Sequence, residues 1–280
     1  MKSLNGKVVV VTGAGSGMGR AYALAAVRRG ARVALNDVDP GDLAETVRLC
    51  APAKVLAEAF DVSSAADFAA FADAVSAQLG PADVLINNAG IEGEGQPFWA
   101  TSQESFDRVM KVDFWGVVNG TRAFLPQLLG REQSFLVNVS SLFGLVGPPH
   151  NTDYSSAKFA VRGFTESLAA ELLGTPVRVY TVHPGGVDTR INRHQATQAF
   201  QRRYLKTDPA EVARLVFDRL GSSRTRIVCG HRARTTWLGA RLLPQRLMGR
   251  LTARDLAPVL DRSAYPASAW LAARRSDGEA

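Results

Sequence analysis

Short apolar runs alternate along this chain with longer stretches in which hydrophobic residues return every three to four positions. Residues 7–11, 32–36, 55–60, 83–86, 135–139, 177–182 and 226–228 read as strands, several of them ending at glycine, asparagine or aspartate. Residues 20–29, 43–49, 65–79, 105–129, 154–173 and 209–220 carry the helical period. Strands separated by helices of this length imply βαβ units, and therefore a parallel sheet covered on both faces. Right-handed crossovers make that an α/β, doubly wound, Rossmann-type sheet of about seven strands. No internal repeat, low-complexity segment or linker divides the chain. The pattern places one domain over residues 1–230, followed by a helical, basic extension over residues 231–280.

Composition supports a globular core. The chain has 280 residues, 46% hydrophobic and 21% charged, which excludes disorder and collagen. No apolar run approaches the ~20 residues that a spanning helix needs. The first residues show no cleavage-site pattern, so the expected location is cytoplasmic. Cys50 and Cys229 form no CxxC pair, so neither a disulfide framework nor a metal site is expected. Charge is unevenly distributed: residues 1–220 hold 22 basic and 22 acidic side chains. Residues 221–280 hold eleven arginines against Asp255, Asp261, Asp277 and Glu279, so they carry the whole net charge of +7. A neutral body with a basic tail argues for a local feature and against nucleic-acid binding.

The turn after the first strand reads Thr12-Gly13-Ala14-Gly15-Ser16-Gly17-Met18-Gly19 and opens a helix. Glycines there let the backbone approach a pyrophosphate, and the helix N-terminus offers free N–H groups with partial positive charge. A tight turn without a ligand is the competing reading. Asp37 ends the second strand about 20 residues later, where a carboxylate can accept the adenosine ribose hydroxyls and repel a 2′-phosphate. Neither Asn36 nor Val38 supplies a cation, so NAD is favoured over NADP. A solvated turn carboxylate is the alternative for Asp37.

Tyr154 and Lys158 stand four apart at the start of a helix and share one face. An unperturbed tyrosine is a poor base at neutral pH, and a nearby ammonium favours its phenolate. Ser141 follows the fifth strand, at the sheet edge where ligands bind, and its hydroxyl can hold a substrate oxygen. Singly, these are a surface Tyr–Lys pair and a loop serine.

Together with NNAG at residues 87–90, the Asp61-Val62 pair, YSSAK and HPGGVDT, these features resemble the short-chain dehydrogenase/reductase family over roughly residues 5–230. The resemblance implies an NAD(P)-dependent oxidoreductase acting between an alcohol and a ketone or aldehyde. It implies that Ser141 orients substrate, Tyr154 is the acid/base, and Lys158 contacts the nicotinamide ribose. It further implies cofactor contacts from Gly13, Gly15, Ser16, Gly17, Met18 and Gly19, from Asp61 and Val62 at the adenine, from Asn88 at the ribose, and from Pro184, Val187 and Thr189 at the carboxamide. One position departs: where many members carry asparagine in the long fourth helix, this chain has Asp113. Its backbone carbonyl could still hold a relay water, and its carboxylate could favour charged Lys158; a solvated carboxylate is the alternative.

Between Asp188 and Asp208 lie Arg190, Arg193, Arg202, Arg203 and Lys206 with no acid. The family's equivalent segment is a flap over substrate. A solvated basic face is favoured there over a site for an anionic substrate. Residues 224–254 hold eight arginines and no acid, interleaved with leucines and interrupted at Pro244. This segment can pack on the body or a second subunit, cover an apolar substrate, or meet an anionic membrane; packing is favoured. The expected partners are a small-molecule substrate and further copies of the chain, as a dimer or tetramer. The rival to an enzyme is a non-catalytic dinucleotide-binding regulator that uses the tail as a partner contact.

Overall fold

The structure is a computed structural model, and it describes residues 3–189, 202–260 and 265. Seven parallel strands form one sheet in the order β3-β2-β1-β4-β5-β6-β7. They are β1 (Val8–Thr12), β2 (Arg32–Asp37), β3 (Val55–Ala59), β4 (Val84–Asn87), β5 (Ser134–Val139), β6 (Val177–Gly185) and β7 (Arg226–Gly230). The central strands β1, β4 and β5 are buried at every position, which is why they read as unbroken apolar runs. The strand order reverses between β1 and β4, and this opens a crevice at their C-terminal ends, where Thr12-Gly13 and Asn87-Asn88 lie.

Among the described residues, the strands up to β6 are connected by α1 (Gly17–Val27), α2 (Pro40–Cys50), α3 (Ala65–Leu79), α4 (Gln103–Val109) continuing into α5 (Gly116–Leu129), and α6 (Thr152–Glu171). After β6 and before β7 comes α7 (Pro209–Arg219), and β7 is followed by α8 (Ala233–Leu242) and α9 (Gln245–Leu256). Several starts are fixed by their caps. Asp39 accepts the N–H groups of Gly41 and Asp42 ahead of α2, and Asp208 accepts that of Ala210 ahead of α7, each with proline at the first helical position. One apolar layer packs α1 and α7 on the sheet through Tyr22, Val216 and Phe217. The opposite layer packs α3 and α5 through Phe68, Phe71 and Phe124.

The helical period at 105–129 is not one helix. Between α4 and α5 the backbone widens into a π-helical turn, Met110–Trp115, which holds Asp113. The apolar period persists through the turn, so the pattern of residues alone does not mark it. Strand β6 extends past the expected residue 182 to Gly185, because His183 and Pro184 pair with Val228 and Cys229. Pro244 separates α8 from α9 as the interrupted period suggests. Among the described residues no helix is long and apolar enough to cross a membrane, and no cluster of three or more His, Cys, Asp or Glu is placed to hold a metal.

Candidate active site

A cavity of about 350 Å³ lies at the crevice beside β1, lined by Gly13, Ser16, Gly17, Met18, Asp37, Asp61, Val62, Asn88 and Thr189 among others. The glycine loop at its base is tightly folded. Gly13 adopts φ +64°, and a Cβ on Gly19 would run into the Gly13 carbonyl. Asp37 is not a free turn carboxylate. Its Oδ2 accepts the Gly15 N–H at 2.7 Å and its Oδ1 the Asp39 N–H at 3.0 Å. Asn88 donates to the Thr12 carbonyl at 3.0 Å, tying the end of β4 to the loop. Arg20 is a cation near the loop that lies outside the short stretch around Asp37. It is already committed to the Gly15 carbonyl, to the Thr46 hydroxyl at 2.9 Å and to the Asp42 carbonyl at 3.2 Å.

A second cavity, about 390 Å³, adjoins it and holds Ser141, Tyr154, Lys158, Pro184, Val187 and Thr189 in its wall. Met18, Asn88, Gly90, Glu92 and Thr189 line both cavities and mark their junction. Ser141 comes off β5 extended, and its hydroxyl accepts the Phe143 N–H at 3.1 Å, starting the short turn after the strand. Ser140 instead faces inward and donates to the Lys158 carbonyl at 2.9 Å, which pins α6 to the end of β5. His183 sits beneath Ser141: its Nδ1–H donates to the Ser141 carbonyl at 3.0 Å, and burial lowers its pKa to about 4. The ring is therefore neutral at pH 7 and acts as a prop.

Asp113 lines neither cavity, but its carboxylate stands 3.0 Å from Lys158 Nζ, with both side chains almost fully buried. Its other oxygen accepts the Ile91 N–H at 2.8 Å. Burial pushes the Asp113 carboxyl up, opposed by the Lys158 ammonium and the Ile91 bond. The pair changes the electrostatics expected at Tyr154. Lys158 Nζ lies 5.5 Å from the centre of the tyrosine ring, but its charge is answered by Asp113. Burial raises the Tyr154 pKa, Asp113 and Glu92 raise it further, and only Ser141 opposes them. At neutral pH the tyrosine is therefore a phenol.

Two further residues belong to this site. His183 lies within HPGGVDT, but its neighbour Ser141 comes from a different strand, so nothing local in sequence joins them. Glu92 stands one residue past NNAG, after Ile91, yet its surroundings come from the π-turn and α6. The basic segment between Asp188 and Asp208 is described only in part. Arg190 and Arg193 fall outside the described residues, while Arg202, Arg203 and Lys206 are exposed. The tail helices close over the second cavity: Thr236, Leu243, Met248 and Leu256 line it. Ala233, Trp237 and Met248 pack there with Leu142, Leu145 and Val146.

The profile of the short chain dehydrogenase family matches residues 7–199. The chain belongs to the short-chain dehydrogenase/reductase family. A Mycobacterium tuberculosis relative named as an oxidoreductase, SadH, is 42% identical across 87% of this chain and 93% of its own length. A short-chain dehydrogenase/reductase from Burkholderia phymatum, solved in complex with NAD, superposes with a TM-score of 0.80 at 32% identity, covering 96% of this chain and 100% of that one. A metagenomic short-chain oxidoreductase solved with NADP superposes with a TM-score of 0.70 at 29% identity, covering 81% of this chain and 98% of that one. The family is thus one of oxidoreductases whose relatives here hold either dinucleotide.

Proposed function

We propose that this oxidoreductase transfers hydride between a secondary alcohol and NAD⁺, with the ketone and NADH as the other pair. The observation that carries the reading is the junction: a cavity floored by a glycine loop and walled by Asp37 opens directly into one walled by Ser141, Tyr154 and Lys158. The residues fit a dinucleotide. The loop presents backbone N–H groups of α1 to a pyrophosphate, and Asp37 suits an unphosphorylated ribose, which favours NAD over NADP. When bound, the nicotinamide supplies the hydride acceptor. Ser141 holds the substrate oxygen, and Tyr154 exchanges its proton with that oxygen. Lys158 holds the ribose and passes the proton onward. Asp113 keeps Lys158 charged and in place.

The substrate side favours an apolar alcohol. Leu142, Phe143 and Val146 from the turn after β5 line the cavity together with Leu243, Met248 and Leu256 from the tail. Such a wall binds a hydrocarbon body through area removed from water and leaves orientation to the few polar groups. Further copies of the chain as partners, and a cytoplasmic setting, belong to the same proposal.

A spectrophotometric assay of NAD⁺ reduction over a panel of secondary alcohols of increasing apolar size tests it. Turnover should rise with apolar size, and Tyr154→Phe should lower kcat on the order of 10²-fold or more while NADH still binds. Near-normal turnover in Tyr154→Phe, with loss in Ser141→Ala, would overturn the roles. Cofactor binding without turnover of any alcohol or ketone would make the protein a dinucleotide-binding regulator instead.

A further inference from the structure

Among the described residues, Glu92 is the one titratable side chain that lines both cavities. It cannot move far from the junction. Gly93 lies directly against the Asp153 carboxylate, so closely that a Cβ there would collide with it, and the Ile91 N–H is held by Asp113. Glu92 is therefore fixed between two bonded or packed neighbours. No described residue gives its carboxylate a hydrogen bond or an ion pair, in contrast to Asp113 and Asp153 on either side.

The charges around it are mostly of its own sign. Asp113 from the π-turn and Asp153 at the start of α6 both face it. Lys158, which lines the second cavity with Glu92, is taken by Asp113 at 3.0 Å. Tyr154 from α6 is an uncharged phenol that feels Glu92. Arg108 from α4 lines the first cavity with Glu92, alongside Asp37 and Asp61, but its side chain is exposed. Burial, reinforced by Asp113 and Asp153, raises the Glu92 carboxyl to about 7.

We propose that Glu92 is a charge-setting residue for the cofactor, making the preference for oxidised over reduced dinucleotide depend on pH. The inference rests on the dinucleotide reading given above. Hydride transfer requires the nicotinamide to lie near Tyr154 and Ser141, and a dinucleotide entering from the glycine loop reaches them through the junction. The oxidised ring carries a positive charge and the reduced ring none. An ionised Glu92 therefore attracts the oxidised form selectively, while a protonated one does not distinguish them. Glu92 acts here through charge at a distance and takes no proton from the substrate.

The sign follows from the raised carboxyl. Below about pH 7 Glu92 is largely protonated, and above it the anion appears, so the advantage of NAD⁺ over NADH grows as pH rises. One added charge at several ångströms in a partly screened site is worth roughly tenfold in the affinity ratio. The test is to titrate wild type and Glu92→Gln with NAD⁺ and with NADH at several pH values between about 5.5 and 8.5. The expected result is a ratio of the two dissociation constants that moves about tenfold toward NAD⁺ in wild type and stays flat in Glu92→Gln. NADH affinity should be similar in both proteins. A flat ratio in wild type, or a slope that survives in Glu92→Gln, overturns the inference and leaves the dinucleotide reading standing. Failure of wild type to bind either cofactor would overturn both.

Discussion

The carboxylate of Asp37 accepts two backbone N–H groups, from Gly15 and Asp39. Position at the end of β2 was legible in the sequence, and so was the absence of a flanking cation. The clamp on the glycine loop was not, because a hydrogen bond across 22 residues leaves no trace in local pattern. This second role alters what a cofactor-switching variant should do. Val38 is 70% exposed, so an arginine there has room to reach a 2′-phosphate. Asp37→Ala with Val38→Arg should move the NADPH-to-NADH affinity ratio by about ten- to a hundredfold toward NADPH, the size of one hydrogen bond to a charged group. Affinity for both cofactors should also fall, since Gly15 loses its acceptor. Fluorescence titration of the two reduced cofactors measures both effects. Equal wild-type affinities would remove Asp37 from the selectivity argument.

At the level of elements, the parallel sheet of seven strands was readable because its buried strands are compact, mostly apolar runs bounded by turn residues. The π-turn at Met110–Trp115 was not readable, since one extra residue in a helical turn leaves the surrounding apolar spacing intact. Its consequence is chemical. The turn carries Asp113 against Ile91 and Lys158, so a departure visible in the sequence becomes a buried ion pair at 3.0 Å in the structure. Ionised Asp113 raises the Tyr154 pKa by its own charge and by answering that of Lys158. Asp113→Asn keeps an acceptor for the Ile91 N–H but removes the charge. The basic form of Tyr154 should then appear at lower pH. We expect the acid limb of kcat/KM for alcohol oxidation to shift downward by about one unit or more, within the range that a nearby charge commands. A pH–rate profile identical to wild type would mean that Asp113 does no more than fill space beneath the lysine.

The whole molecule joins a neutral sheet domain to a cationic pair of helices, and sequence alone left three destinations for that pair. Its inner side closes the second cavity: Ala233 and Leu256 are buried, and Trp237 and Met248 are partly so. Arg232 pairs with Asp255 at 2.8 Å, and Tyr204 donates to the Asp255 carbonyl at 2.8 Å, so α9 is tied to both β7's exit and the segment before α7. Its outer side is different. Leu238, Leu242 and Leu247 are 48%, 78% and 43% exposed, interleaved with exposed Arg234, Arg241, Arg246, Arg250 and Arg254. Packing on the body and lining of the second cavity are therefore one arrangement seen from inside. Two copies meeting through this face would bring arginines against arginines, which opposes a symmetric contact there. Loss of the inner side removes the burial of about two large apolar side chains, roughly 3–6 kcal/mol. At about 2–4 °C per kcal/mol for a chain somewhat shorter than this one, truncation after Gly230 should lower the melting temperature on the order of 10 °C in lipid-free buffer. Salt should change that difference little, because the inner contacts are mainly apolar. An anionic bilayer as the true counterpart would give the opposite pair of results: an unchanged melting temperature on truncation, and a full-length chain that sediments with anionic vesicles at low salt and leaves them at high salt.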